Sequence, residues 1–419
     1  MAEVRGPERS REDTRWSLIA ALLGAAAFVA LAAMLVPWDP THGLAPPPVA
    51  ADSVFSAAQL ERAEAYRLWA RVCSWSSLAV SVAVACWLGF GRWGVRIADR
   101  SRGPRWLRLL TVVAALLVIG RLVTLPFAVA LRQRQLEEGL ATSSWPAWTL
   151  DLLLNLGLEI GVSTVAVLVL SWCARRWRRT WPVVAGGVVA ALVVLGSFVY
   201  PVVVEPLFND FRSLPDGELR SEIFALADAE GVPIDDVLVS DASRRTTTLN
   251  AYVSGFGDTR RVVVYDNLLD AAAREETLSV VAHELAHARH DDVLVGTALG
   301  ATGAFAAVGL LGLVLVPLRR RGVELGQVRA VPAVLALVAV AGLLSAPIQN
   351  GISRHVELRA DVVALDTTAD LPGGVDAFIA VQQRLALRSL ADPTPPTWSQ
   401  WWFGSHPTVL ERIALARSY

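Results

Sequence analysis

The sequence predicts a mainly α-helical, multi-pass membrane protein with a small α+β unit set between its later spans. Three observations point there. More than half of the 419 residues are apolar and only 18% are charged, with a positive mean hydropathy, a balance unlike that of soluble domains. Seven apolar runs approach the roughly 20 residues that carry a helix across a bilayer. The segments that follow the fifth and seventh runs return to globular composition.

In chain order the runs are Ser17 to Val36, Val72 to Phe90, Leu107 to Leu131, Leu150 to Trp172, Pro182 to Val204, Val293 to Val316 and Val328 to Ala346. The first is too long for a secretory leader and shows no small-residue cleavage site before Pro37, so it reads as a retained anchor. Lysine is absent, and arginine gathers at one set of connectors: Arg5, Arg9, Arg11 and Arg15; Arg92, Arg96, Arg100, Arg102, Arg105 and Arg108; Arg175, Arg176, Arg178 and Arg179; Arg319, Arg320, Arg321 and Arg329. All four lie on one side of a seven-span topology, which the positive-inside rule makes cytoplasmic. The segments Glu205 to Asp292 and Pro347 to Tyr419 then face away from the cytoplasm. Net charge is near zero, and no basic tract suits a nucleic-acid partner. Cys73, Cys86 and Cys173 fall in or beside apolar runs and read as core.

Ala45 to Ala51 is an extended alanine and proline connector. Between the fifth and sixth spans, Leu219 to Glu230 has helical spacing, Val237 to Ser240 and Arg261 to Tyr265 read as strands, and Ala271 to His290 as one helix. Beyond the seventh span, Ser353 to Leu365 and Val375 to Leu390 are patterned as helices. Within the fourth span Asp151, Asn155 and Glu159 recur every four residues and line one face. Arg121 of the third span sits at the depth of Glu159, so the two are expected to pair, either as a structural ion pair or at the wall of a water-filled chamber.

The chemistry is concentrated in His283-Glu284-Leu285-Ala286-His287. On a helix the two histidines share a face, about 6 Å of rise apart, and can converge on one metal ion. Glu284, one step round, can hold a water activated by that metal and take its proton. A catalytic zinc needs a third protein ligand and an open position. His290 lies about 10.5 Å of rise from His283, too far to share the ion. Glu357 belongs to a separate helix that can cross the first. Asp361, one turn on, can accept a hydrogen bond from a ligand imidazole. Taken alone, Glu357 and Asp361 would be a charged surface beside Arg354 and Arg359; beside the histidine pair they read as ligand and support.

A wider set of segments resembles the type 1 CAAX prenyl endopeptidases, membrane zinc proteases related to the HtpX proteases. It comprises Leu125-Pro126-Phe127, Tyr200-Pro201, Glu205-Pro206-Leu207-Phe208, Asn250-Ala251-Tyr252 with Gly255, the histidine helix, Glu357 with Asp361, and His406-Pro407 with Arg412. The resemblance implies that Asn250, Ala251 and Tyr252 form an edge strand that pairs with the substrate backbone. It also implies that His406 and Arg412 lie near the scissile carbonyl. Without it, His406 reads as a loop histidine and Arg412 as a surface arginine. Eukaryotic members present the catalytic domain to the cytosol, whereas the arginine pattern here places it opposite, which argues against a prenylated cysteine peptide as substrate.

The expected architecture is a ring of seven transmembrane helices around a polar chamber, roofed by the histidine helix and the Glu357 helix, with a zincin-like α+β metalloprotease region. Residues 1–204 form a membrane region with five spans, and 205–419 a zinc peptidase region with the other two. The expected activity is peptide-bond hydrolysis by a metal-activated water, with one Zn2+ per chain on His283, His287 and Glu357 and a peptide or protein substrate, membrane-associated or lipidated. Two alternatives stand beside it: quality-control cleavage of membrane proteins, as in HtpX, and a transporter or scaffold whose histidines merely bind metal.

Overall fold

The computed structural model describes residues 6–318, 324–369, 371 and 373–419; of the arginines named above, Arg5, Arg319, Arg320 and Arg321 lie outside them. Among the described residues, seven helices are long and apolar enough to span a membrane. They are α1 (Gly6–Leu35), α2 (Ala57–Phe90), α4 (Arg105–Glu137), α5 (Trp145–Arg176), α6 (Trp181–Val199), α10 (Asp292–Leu318) and α11 (Val331–Thr368), with a short α3 (Arg92–Arg100) between α2 and α4. At 1.5 Å per residue, helices of 32 to 38 residues such as α2, α4, α5 and α11 are about 50 Å long and outreach a hydrocarbon layer of about 30 Å. Their surplus turns carry the extramembrane region.

That surplus corrects one boundary. The seventh apolar run stops before Pro347, and Ser353 to Leu365 reads as a separate helix; in the structure α11 continues unbroken through Pro347 to Thr368. A proline removes one backbone hydrogen bond, a loss that long membrane helices absorb. The helix expected over Ala271 to His290 is α9 (Arg274–Arg289), which starts after a short α8 (Asp266–Ala271) has ended. A capping contact from Glu276 to the Ala273 amide secures the start.

Close packing holds the bundle. A Cβ on Gly309 would lie 2.3 Å from the Ala21 backbone nitrogen, and one on Gly24 would lie 2.5 Å from that of Ala306, so α1 and α10 meet backbone to backbone, as small residues allow. Arg121 and Glu159 do pair, at 3.5 Å, at the wall of a cavity of about 550 Å³ between α2, α4 and α11 that Ser74, Ser77, Ser81 and Thr124 also line. The rest of the polar face of α5 has other partners. Asp151 pairs with Arg245 at 2.9 Å, and the Asn155 amide donates to its own helix at the Asp151 carbonyl.

Outside the membrane the chain adds α7 (Glu218–Ala229), α12 (Gly374–Ser389), α13 (Thr397–Phe403), α14 (Val409–Ala416) and strands β1 (Phe211–Ser213), β2 (Asp236–Ser240), β3 (Ala251–Ser254) and β4 (Arg261–Tyr265). The sheet order is β1-β2-β4-β3, with β2 and β4 parallel and both outer strands antiparallel to their neighbours. One core unites sheet and helices through Val237, Val239, Val262, Val264, Val281, Leu285, Leu365 and Phe378. Arg67 and Arg71 of α2 fasten it to the bundle, donating to the Leu390 carbonyl and to Asp392.

Directly after α7, Glu230 is 4% exposed, and burial pushes its carboxyl up to about 7, only partly offset by Arg289. A carboxyl raised in the fold binds its proton more tightly there than in the open chain, so stability falls as pH rises from about 4.5 towards 7 and stays reduced above. Glu230→Gln is expected to stabilise the protein at pH 8 by on the order of 1–2 kcal/mol and to change little at pH 4, as read by melting of the two proteins in detergent.

Candidate metal centre

His283 and His287 stand on α9 one turn apart. Their imidazoles meet edge to face, with Nε2 atoms 3.2 Å from each other. Glu357 enters from α11, Oε2 lying 3.3 Å from His283 Nε2 and Oε1 3.7 Å from His287 Nε2. One donor atom from each residue falls within 4.8 Å of the others. Helix α11 brings its carboxylate there because it packs along α9, the histidine helix, whose Val280 to Leu285 stretch is almost wholly buried.

Each imidazole is gripped from behind. His283 Nδ1 lies 2.9 Å from Asp361, which is fully buried and which Arg412 engages with both Nε and Nη2. His287 Nδ1 lies 2.9 Å from Asp292, whose other oxygen takes the guanidinium of Arg359. The two clamps have the same logic, arginine to aspartate to histidine, and both return to α11 through Asp361 and Arg359. A neutral imidazole has one N–H, and with Nδ1–H directed at a carboxylate the Nε2 lone pair is left for the centre.

Three electron-rich atoms therefore converge. Glu357 Oε2 is buried without a hydrogen-bond partner. Burial opposes a charge on His283, yet the carboxylates of Asp361 and Glu357 beside it outweigh that and push the imidazole up to about 10. The protein's own groups thus favour positive charge at this point, and the donor set suits a divalent cation. Glu284 is held above the usual carboxylate range by desolvation, against the pull of His283 and His287.

The cleft over these residues has a volume of about 600 Å³ and is walled on one side by Asn250, Ala251, Tyr252 and Val253. Ala251 and Tyr252 lie in β3, whose far edge has no strand partner among the described residues; Asn250 immediately precedes the strand. His406 reaches the centre from the loop after α13, with Nε2 3.4 Å from Glu357 Oε1 and its ring exposed to the cleft. Arg412 is beside His283 Nδ1, at 3.3 Å, with its fork committed to Asp361. His290 has no contact with the centre among the described residues. The sequence reading passes over Asp292, whose only local sign is an acid at the start of an apolar run, and takes Arg359 for surface.

A histidine pair on one helix, a glutamate on a crossing helix and a seven-span bundle beneath define a class, the integral membrane metallopeptidases. The family model described as peptidase family M48 matches residues 213–419, and that described as CAAX prenyl protease N-terminal, five membrane helices, matches residues 41–210. The uncharacterized metalloprotease YhfN of Bacillus subtilis is 31% identical over 320 residues, 74% of this chain and 73% of that protein. A CAAX prenyl protease 1 homolog of Oryza sativa is 30% identical over 242 residues, 54% of either chain. The crystal structure of S. mikatae Ste24p shares the fold, with a TM-score of 0.76 at 20% identity, covering 96% of this chain and 99% of that one. The chain belongs to peptidase family M48, as a multi-pass membrane metalloendopeptidase resembling CAAX prenyl protease type 1.

Asp292→Ala is expected to weaken metal retention about 10- to 100-fold while helix content is kept. Competition against a graded chelator series measures it, and retention equal to the parent protein's would deny Asp292 any hold on the centre.

Proposed function

We propose that the chain is a zinc-dependent endopeptidase whose ligands are His283, His287 and Glu357, and that it cuts extended segments of membrane-associated or lipidated peptides. The observation that carries this is the spacing of the two Nε2 atoms, 3.2 Å, against about 3.3 Å for two nitrogens bound tetrahedrally at 2.0–2.1 Å from zinc. A divalent cation held there supplies Lewis acidity and lowers the pKa of water towards neutrality.

The remaining work falls to the chain. The free edge of β3 accepts the substrate backbone as an added strand, which presents a peptide carbonyl above the histidines. Glu284, raised by its surroundings towards the range useful for proton transfer, takes the proton of the attacking water as the C–O bond forms. It delivers a proton to the departing amine as the C–N bond breaks. His406, an exposed polar group of the cleft, donates to the developing oxyanion. Arg412 supports that side through Asp361, fixing the tautomer and tilt of His283. Substitution of Glu284 by glutamine is expected to lower cleavage of a quenched peptide by at least about 10³-fold with metal retained; parity between the two proteins would defeat the mechanism.

We also place the arginine-rich end in the cytoplasm and the cleft on the other side. Support comes from contacts that gather the basic connectors at one end: Arg179 with Glu12 at 2.9 Å, Arg329 with Asp99, and Arg105 with the Gly326 carbonyl. A cysteine at the fully exposed Asp216 position should react with an impermeant maleimide on intact cells. Reaction only after lysis reverses the orientation.

A further inference from the structure

At the end of the bundle remote from the cleft, three arginines gather without an acid among them. Arg105 opens α4 and Arg108 stands one turn on, while Arg175 lies in the last turn of α5. The Arg105 guanidinium donates to Ser171 Oγ and to the Gly326 carbonyl. The stem of Arg175 packs on the same glycine, so that a Cβ at position 326 would fall 3.1 Å from Arg175 Cγ. Arg108 Nε donates to Ser101 Oγ at 3.2 Å.

The charged groups acting on Arg105 are Arg108 and Arg175, both repulsive. Among the described residues none of the three has an ion-pair partner; Asp99 is engaged with Arg329, Glu12 with Arg179, and Glu324 with the Gln327 amide. The start of α4 adds to the charge. Its cap, Pro104, offers no side-chain acceptor and its first turn holds no acid, so the free N–H groups and positive dipole end of a 33-residue helix sit among the guanidinium groups instead of facing a carboxylate. Such a gathering favours an anion from outside the chain.

Position tells which anion. Trp106, in the same turn as Arg105, is 57% exposed, and Trp172, a turn before Arg175, is 51% exposed. Exposed indoles at the ends of spans mark the headgroup layer. There the abundant anion is a phosphodiester, which guanidinium forks bind well.

We propose that Arg105, Arg108, Arg175 and the uncapped start of α4 form a site for the phosphate of an anionic phospholipid, its acyl chains lying against the apolar flanks of α4 and α5. The test uses the delipidated full chain in neutral detergent, titrated with phosphatidylglycerol or phosphatidylcholine and read by native mass spectrometry. Phosphatidylglycerol should bind preferentially, and the double variant Arg108→Gln/Arg175→Gln should weaken that binding about tenfold or more, with peptide cleavage unchanged. Arg105 is left intact because its contacts to Ser171 and Gly326 are structural. The control Arg176→Gln/Arg178→Gln removes the same charge nearby and should bind as the parent does. If the double variant does not fold, Arg175→Gln alone, at an exposed position, carries the comparison. Equal loss in test and control variants, or equal binding of the two lipids, overturns the site. Inorganic phosphate binding as tightly as phosphatidylglycerol assigns the cluster to a soluble anion and overturns the lipid reading.

Discussion

Two imidazoles facing one another across 3.2 Å, with a buried carboxylate closing the triangle, form an arrangement that polypeptide alone does not favour. Lone pairs repel, and a buried oxygen without a donor is costly. The surroundings resolve this by supplying negative charge behind each ring and converging donors in front, an arrangement stable with a cation at its centre. Much of the extramembrane region serves that end. Helix α9 is buried along most of its length, α11 passes across it, and α14, packed into the core through Leu415 and Ala416, delivers Arg412 to Asp361.

The two clamps differ in what they fasten. Asp361 and Arg412 join α11 to the C-terminal helix, within the globular core. Asp292 and Arg359 instead join α11 to the first residue of a membrane span. The backbone reverses there through Asp291, whose φ of 52° places a non-glycine residue in the left-handed region, a conformation that aspartate tolerates better than most. The Asp291 carboxylate is tied to Arg260 at 2.6 Å, next to β4. One histidine is thus braced by soluble-type packing and the other by the membrane-spanning bundle.

How much of this is legible in the sequence depends on the range of the interaction. Apolar run length places the seven spans, because the bilayer imposes its thickness on each segment independently. The histidine helix is legible because i and i+4 share a face, and Arg121 with Glu159 because depth in a membrane can be counted from helix ends. Glu357 is reached only by asking what a two-histidine site lacks. Asp292 and Arg359 escape because nothing local distinguishes them: one looks like a span boundary, the other like an exposed charge, and their meeting is set by the turn at Asp291 and the crossing of α9 with α11. The continuity of α11 through Pro347 escapes for a related reason, since a proline ends helices in water far more often than in a packed bundle.

That continuity sets a distance. Glu357 lies 26 residues beyond Val331 on an uninterrupted helix, about 39 Å along its axis, while the hydrocarbon layer is about 30 Å thick. On the proposed mechanism, an upright α11 entering the bilayer at Val331 would hold the cut on the order of 10 Å beyond the lipid edge. A polypeptide anchored in the same leaflet would then be reached only where its tether spans that gap, so the proposed enzyme would measure how far a bond stands from the membrane before side chains are consulted.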